Sequence, residues 1–529
     1  MMSNHNLFTA LRAGFPADLD ALAIDVADGP AAQSPATAHY SWRDLDRGTA
    51  MLANLLAGLN LPAGARVAVQ TDKSVEALML YLAVLRAGYV YLPLNNAYQE
   101  AEIGYFIANA EPAVVVCAPK AFAWVSRIAF SAGTAHVFTL GDARDGTLLD
   151  RAAHCSDQHE PAPKQADELA AILYTSGTTG RSKGAMLSHG NLLSNAQTLQ
   201  RYWDWQRPDP ATGAGGDVLI HALPIFHVHG LFVASHGALL NGSRMVWFNK
   251  FDPRATIARM AEATVFMGVP TLYVRMLAEP ALTPAAAAHM RLFISGSAPL
   301  LVDTFDAWTQ RTGHTILERY GMSETVMLTS NPCRAADGAR RRGTVGPALP
   351  GVALRVLDDA GAACAAGAIG HIQVRGPNVF AGYWKMPEKT AEEFSTDAQG
   401  QRWFKTGDVG QVDAGGYVTI VGRSKDLIIS GGYNVYPAEV EAVINELPGV
   451  AESAVIGVPH PDFGEAVVAV LVAQAGATLD GAALLARLKT QIANFKVPKQ
   501  LFVVADLPRN TMGKVQKNLL REQHQGLFA

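Results

Sequence analysis

The chain has 529 residues, too many for one hydrophobic core, so two or more domains are expected. With 49% hydrophobic and 17% charged residues it is neither disordered nor fibrous, and a net charge of −4, from 43 basic and 47 acidic residues, gives no global field that would draw nucleic acid. Cys117, Cys155, Cys333 and Cys364 show no C-x-x-C spacing, which argues against a disulfide framework or a zinc site and for a reducing compartment. The first residues, MMSNHNLFTALRAGF, have no basic region ahead of an unbroken apolar core, and no apolar run approaches the ~20 residues of a membrane span. A cytoplasmic protein without membrane insertion is expected.

In chain order, 66–70 reads as a strand, 74–87 as an amphipathic helix with Ser74 as its N-cap, and 90–94 as the next strand. This βαβ rhythm predicts an α/β fold with doubly wound sheets. The apolar run 169–174 predicts a buried strand that opens into YTSGTTGRSKG, 174–184. Three glycines, the hydroxyls of Thr175, Ser176, Thr178 and Thr179, and Arg181 and Lys183 in one short loop are phosphate-binding chemistry: backbone N–H groups turn toward an anion, hydroxyls donate, and cations supply countercharge. The spacing is not that of a Walker A loop. A bland Ser/Thr/Gly turn is the alternative, weakened by the lysine and the density of hydroxyls.

Ser188 precedes a helix over about 191–202. In LPIFHVHG, 223–230, His227 and His229 stand two apart with no Cys or carboxylate near in sequence, so packing or substrate contact is expected rather than a metal. RLFISGSAP, 291–299, and ERYGMSET, 318–325, each read as a strand that breaks into a small-residue turn, where α/β sheets place ligands. WFKTGDVG, 403–410, carries Asp408, which suits a pair of vicinal hydroxyls or a plain Asx turn. The composition shifts just after Arg423. A domain boundary is therefore expected at Lys425, giving an N-terminal domain over 1–424 and a small α+β domain over 425–529. The latter starts a helix at Pro437, and LPRNTMGKVQKNLL, 507–520, puts Lys514 in a loop before the last helix.

The loop at 174–184, with the motifs after it, resembles the adenylate-forming superfamily of acyl-CoA synthetases, aryl-CoA ligases and luciferases. The resemblance runs over nearly the whole chain. It implies ATP phosphates bound by Thr175, Ser176, Gly177, Thr178, Thr179 and Gly180, with Thr178 and Lys183 among the catalytic groups. It implies a pocket wall at Gly296, Ser297 and Ala298, adenine on Tyr320 and Gly321, a phosphate contact from Ser323, and Mg²⁺ held by Glu324. Asp408 and Arg423 take the ribose, Lys425 is the hinge of a mobile C-terminal domain, Gly431 and Gly432 line the CoA tunnel, and Lys514 is the catalytic lysine. LPIFHVHGLF, MRLFISGSAPL, ERYGMSET, TVGPALPGV and DLPRNTMGKVQKN look specifically like malonyl-CoA synthetases.

The resemblance implies malonate, ATP and CoA as substrates, with an acyl-adenylate formed first and AMP then displaced by the thiol. Methylmalonate, another short acid, or a carrier-protein thiol are the alternatives. A second carboxylate needs a fixed cation, and Arg291, at the head of the run ending in the GSAP turn, is expected to read it, with His227 and Ser297 shaping the same pocket. Acetylation of Lys514 by a lysine acetyltransferase is expected to switch off the first step.

Overall fold

The computed structural model describes residues 4–27, 38–175, 182–209, 215–430, 433–510 and 513–528. Two large sheets organise the N-terminal part. The first has seven strands, ordered Gly382–Tyr383, Lys183–Ser188, Leu169–Thr175, Val90–Pro93, Arg66–Gln70, Val114–Cys117 and His136–Thr139. Its last five strands run parallel, and the first two are antiparallel additions at one edge.

The second has eight strands, with a parallel centre built from Leu317–Met322, Leu292–Ser295, Val265–Gly268, Val218–His221, Arg244–Trp247 and Leu22–Val26. Strands such as VVVC and LFIS are buried along their whole length, as parallel strands covered on both faces must be.

The helix Val75–Arg86 has Ser74 as N-cap, its side chain accepting from Ala77 N–H. The expected amphipathic stripe is absent, because every residue of this helix is buried. VEALMLYLAVLR is apolar nearly all round, and such a helix belongs in an interior rather than on a surface. Its two terminal charges are tied: Arg86 reaches Asp46 at 3.0 Å, and Glu76 accepts from Tyr40. The helix His189–Tyr202 starts from a capping box at Ser188, with Asn191 in the reciprocal position.

A five-stranded antiparallel sheet, including Gly370–Arg375, Arg402–Val412 and Val418–Arg423, follows. A single 3-10 turn, Ser424–Asp426, leads from its last strand into a fourth sheet built on Ile428–Ser430, Gly464–Ala473, Val450–His460 and Gln500–Val504. That sheet has its own apolar clusters on both faces. One lies under the helices Pro437–Asn445 and Gly481–Gln491, the other under Lys517–His524. Among the described residues no helix is long and apolar enough to cross a membrane.

Candidate active site

The parallel strands of the second sheet end in the residues singled out by sequence. Leu292–Ser295 breaks at Gly296, and Ser297 sits at φ +72°, a left-handed conformation that costs a non-glycine residue energy and recurs at ligand sites. Val326, just beyond Glu324, has φ +56°, more costly still for a β-branched side chain. The segment His229–Ser235 is a π-helix, the wider turn that recurs at functional sites.

On the nucleotide side, Asp408 and Arg423 are cross-strand partners and form an ion pair at 3.2 Å. Tyr320 donates its hydroxyl to the other carboxylate oxygen of Asp408. The aromatic expected for adenine and the carboxylate expected for ribose are thus one unit. Gly321, Ser323 and Ala298 are half-buried.

Lys514 is brought to the same place from the C-terminal domain. Its loop is closed by Asn510 N–H on the Lys514 carbonyl and Lys514 N–H on Asn510 Oδ1, each at 2.9 Å. The residue keeps an open face to solvent, yet the walls around its ammonium and the guanidinium of Arg423 bring it down to about 8, against the pull of Asp408 and Asp426. Lys425 lies in the 3-10 turn and is also lowered to about 8, by burial and then by Arg423.

At the phosphate end, Thr175 closes its strand with Oγ1 3.4 Å from the Lys183 carbonyl. Ser176, Gly177, Thr178, Thr179 and Gly180, and likewise Gly431 and Gly432, lie outside the described residues. Lys183 is paired with Glu393 at 3.2 Å and stands 4.3 Å over the ring of Tyr383. Glu324 is 5% exposed and accepts the Tyr383 hydroxyl at 2.9 Å. Burial raises its carboxyl, while Tyr383, Lys183 and Arg423 oppose the rise. A lone buried carboxylate of this kind fits Mg²⁺, which keeps waters and shares its remaining positions with phosphate oxygens.

The acyl end departs from the expectation for Arg291. That residue lies at the opposite end of its strand from Ser297, and its guanidinium is consumed by buried Asp217, at 2.6 and 3.1 Å, and by the Trp203 carbonyl. Parallel strands present ligands at their C-terminal ends, so an arginine at the N-terminal end cannot face the pocket.

The cation beside Gly296 and the two histidines is Arg319, 3% exposed, whose Nε and Nη2 have no hydrogen-bond partner among the described residues. Burial holds its guanidinium below the ordinary value and raises the neighbouring Glu318 carboxyl. His227 and His229 are kept neutral by burial first and Arg319 next, and His227, lowered to about 4, also senses Lys514. Ser297 Oγ lies 3.3 Å from His229 Nδ1, while His229 Nε2 and Ser295 Oγ are also buried without partners among the described residues. Buried polar groups are nearly always paired, so this cluster marks where a ligand or water belongs.

Sequence reading missed Arg319 and Tyr383. For Arg319 the signal was there: a Glu-Arg pair inside an apolar strand puts charge where burial on both faces is expected. A cavity of about 490 Å³ is lined by Thr71, Lys73 and Pro93, by Phe226 and Thr271, and by Gly513 of the C-terminal domain.

Residues 20–384 match the family of AMP-binding enzymes, and residues 439–514 match the AMP-binding enzyme C-terminal domain. A malonate–CoA ligase of Arabidopsis thaliana is 35% identical over 494 residues, covering 87% of this chain and 78% of its own. The ATP-bound crystal structure of MatB from Rhodopseudomonas palustris is 53% identical over all of both chains, with a TM-score of 0.92. The apo structure of the same protein, with equal identity and coverage, gives 0.81, so the arrangement of this chain is nearer the ATP-bound form.

Proposed function

We infer that this chain, which belongs to the family of AMP-binding enzymes, is an AMP-forming acid–CoA ligase whose acid is malonate. The observation that carries the choice of acid is the buried, incompletely paired guanidinium of Arg319 among Ser297 and two neutral histidines. A cation in that position is costly without a partner, and an acid with a second carboxylate supplies one. Ser297, His227 and His229 flank it; neutral histidines donate or accept hydrogen bonds without repelling the guanidinium.

In the first step a carboxylate oxygen of malonate bonds to the α-phosphorus of ATP as the bond to pyrophosphate breaks. In the second, the CoA sulfur bonds to the acyl carbon, AMP leaves, and the thiol proton passes to solvent. The first step joins two anions, so positioning and charge neutralisation are what the protein must supply. Tyr320 offers its ring to adenine. Asp408 accepts from the ribose hydroxyls in place of the Tyr320 hydroxyl, and Arg423 holds it. Lys514, Lys183 and the loop 174–184 gather the phosphates. Glu324 would hold Mg²⁺, which when bound neutralises charge on the leaving pyrophosphate.

The C-terminal domain, now presenting Lys514, would turn about Lys425 for the second step and bring Gly431 and Gly432 to the thiol path. The cavity at Thr71, Lys73 and Phe226 would give the thiol its approach. A reducing, cytoplasmic setting agrees with the four free cysteines.

The test is pyrophosphate release over a panel of short mono- and dicarboxylates, with and without CoA. Malonate should stand above acetate, propionate and methylmalonate. Equal rates for mono- and dicarboxylates would remove the choice of acid, and no release with any acid would remove the ligase.

A further inference from the structure

We propose that Tyr383 is a positioning residue for the first half-reaction, holding Glu324 of one sheet and Lys183 of the other in register across the site of the ATP phosphates. The proposal rests on the ligase reading above and deepens it. Glu324 belongs to the hairpin that ends the second sheet, whereas Lys183 begins a strand of the first. These two groups would approach the phosphates from different layers, and a shift of one sheet against the other would spoil both.

Tyr383 touches both. Its hydroxyl donates to Glu324 Oε1 at 2.9 Å, and its ring lies under Lys183 Nζ at 4.3 Å, a cation–π contact in a largely buried setting. The tyrosine is itself fixed from four directions. Its residue pairs with Ala185 in the sheet, and Trp384 N–H reaches the Gly184 carbonyl at 2.8 Å. Phe380 N–H reaches the Glu324 carbonyl at 2.8 Å, and the Phe380 ring stands edge-on to that of Tyr383 at 4.9 Å. Tyr383 N–H is taken by Thr390 Oγ1 at 2.8 Å. These contacts hold the backbone, burial and the Phe380 ring pack the tyrosine ring, and the hydroxyl fixes one oxygen of Glu324 so that the other keeps a set direction.

Glu393 completes the device. It holds Lys183 at 3.2 Å and shares itself with Lys389 at 3.4 Å, so Lys183 has a second anion to leave when phosphate arrives and Glu393 keeps a cation after it goes. This is the logic of an outer-shell partner, whose loss typically lowers metal affinity or activity by about 10- to 100-fold.

Tyr383→Phe keeps the ring and its packing and removes the hydroxyl. Three quantities are read on the full chain: pyrophosphate release from malonate and ATP, the Mg²⁺ midpoint of the thermal shift given by a non-hydrolysable ATP analogue, and thioester formation from synthetic malonyl-AMP and CoA. The expected result is a fall of about 10- to 100-fold in the first, a Mg²⁺ midpoint raised about tenfold, and an unchanged third. A Tyr383→Phe enzyme with wild-type pyrophosphate release and Mg²⁺ midpoint overturns the proposal, as does an equal loss of both half-reactions. Failure of the ligase reading is seen separately, as wild-type protein that releases no pyrophosphate with any acid.

Discussion

The guanidinium of Arg319 fills the space in which residue 296 would carry a side chain: a Cβ built on Gly296 would lie 2.5 Å from Arg319 Cζ. Glycine is needed there for close approach rather than for backbone freedom. The clashing group is the far end of a flexible side chain, so Gly296→Ala can be absorbed by moving the guanidinium, and the fold survives while the pocket's cation is displaced. A misplacement of about 1 Å costs roughly 100-fold in rate. Malonate kcat/KM is expected to fall by that order, with a thermal midpoint close to wild type; kinetics and a melting curve on one preparation check it.

Arg319 and Arg291 make opposite predictions. Arg319→Met removes a poorly paired buried charge, so stability should hold or rise, while malonate kcat/KM falls by about two to four orders of magnitude and that for acetate falls far less. Arg291→Ala strips a partner from Asp217, although Thr264 and Gln206 still donate to that carboxylate. The expected cost is about 3 kcal/mol of folding stability, with malonate and acetate affected alike. Denaturant melts and kcat/KM for both acids on both variants separate the two roles.

Lys514→Ala should abolish adenylate formation and leave conversion of synthetic malonyl-AMP to the thioester intact. With its ammonium lowered to about 8, the charged form is the one lost as pH rises, so kcat/KM for ATP in the first step should decline above about pH 8 by up to tenfold per unit. The second half-reaction should lack that limb. Acetylation of Lys514, which removes the charge at any pH, should reproduce the alanine phenotype.

Lys425→Pro fixes φ inside the 3-10 turn Ser424–Asp426 and restricts Ser424 before it. If the C-terminal domain turns there, ATP-dependent adenylate formation should persist and thioester formation should fail. Full activity in both steps would place the hinge elsewhere in the chain.

Much of this was legible in the sequence. The strand at 66–70, the caps at Ser74 and Ser188 and the helix starting at Pro437 follow from short-range chemistry, and the structure has them. Tyr320, Asp408 and Arg423 were singled out through the family resemblance, and the structure brings the three together although each lies in a strand. Arg291 was misjudged because a run of residues was treated as one place, whereas a strand has two ends and only one opens on the pocket. Tyr383 was invisible for a different reason. Its role depends on a two-residue strand that pairs with a segment nearly two hundred residues earlier, and no local pattern encodes that contact.

The helix Val75–Arg86, buried on every side, ties the large part of the molecule to a single melting event. It belongs to one apolar cluster that runs through strands of both large sheets, so loss of either sheet exposes the other, whereas the C-terminal unit has separate apolar clusters of its own. Scanning calorimetry should therefore resolve two heat-absorption peaks, the smaller belonging to the C-terminal unit. Nucleotide that bridges the two should draw the peaks together.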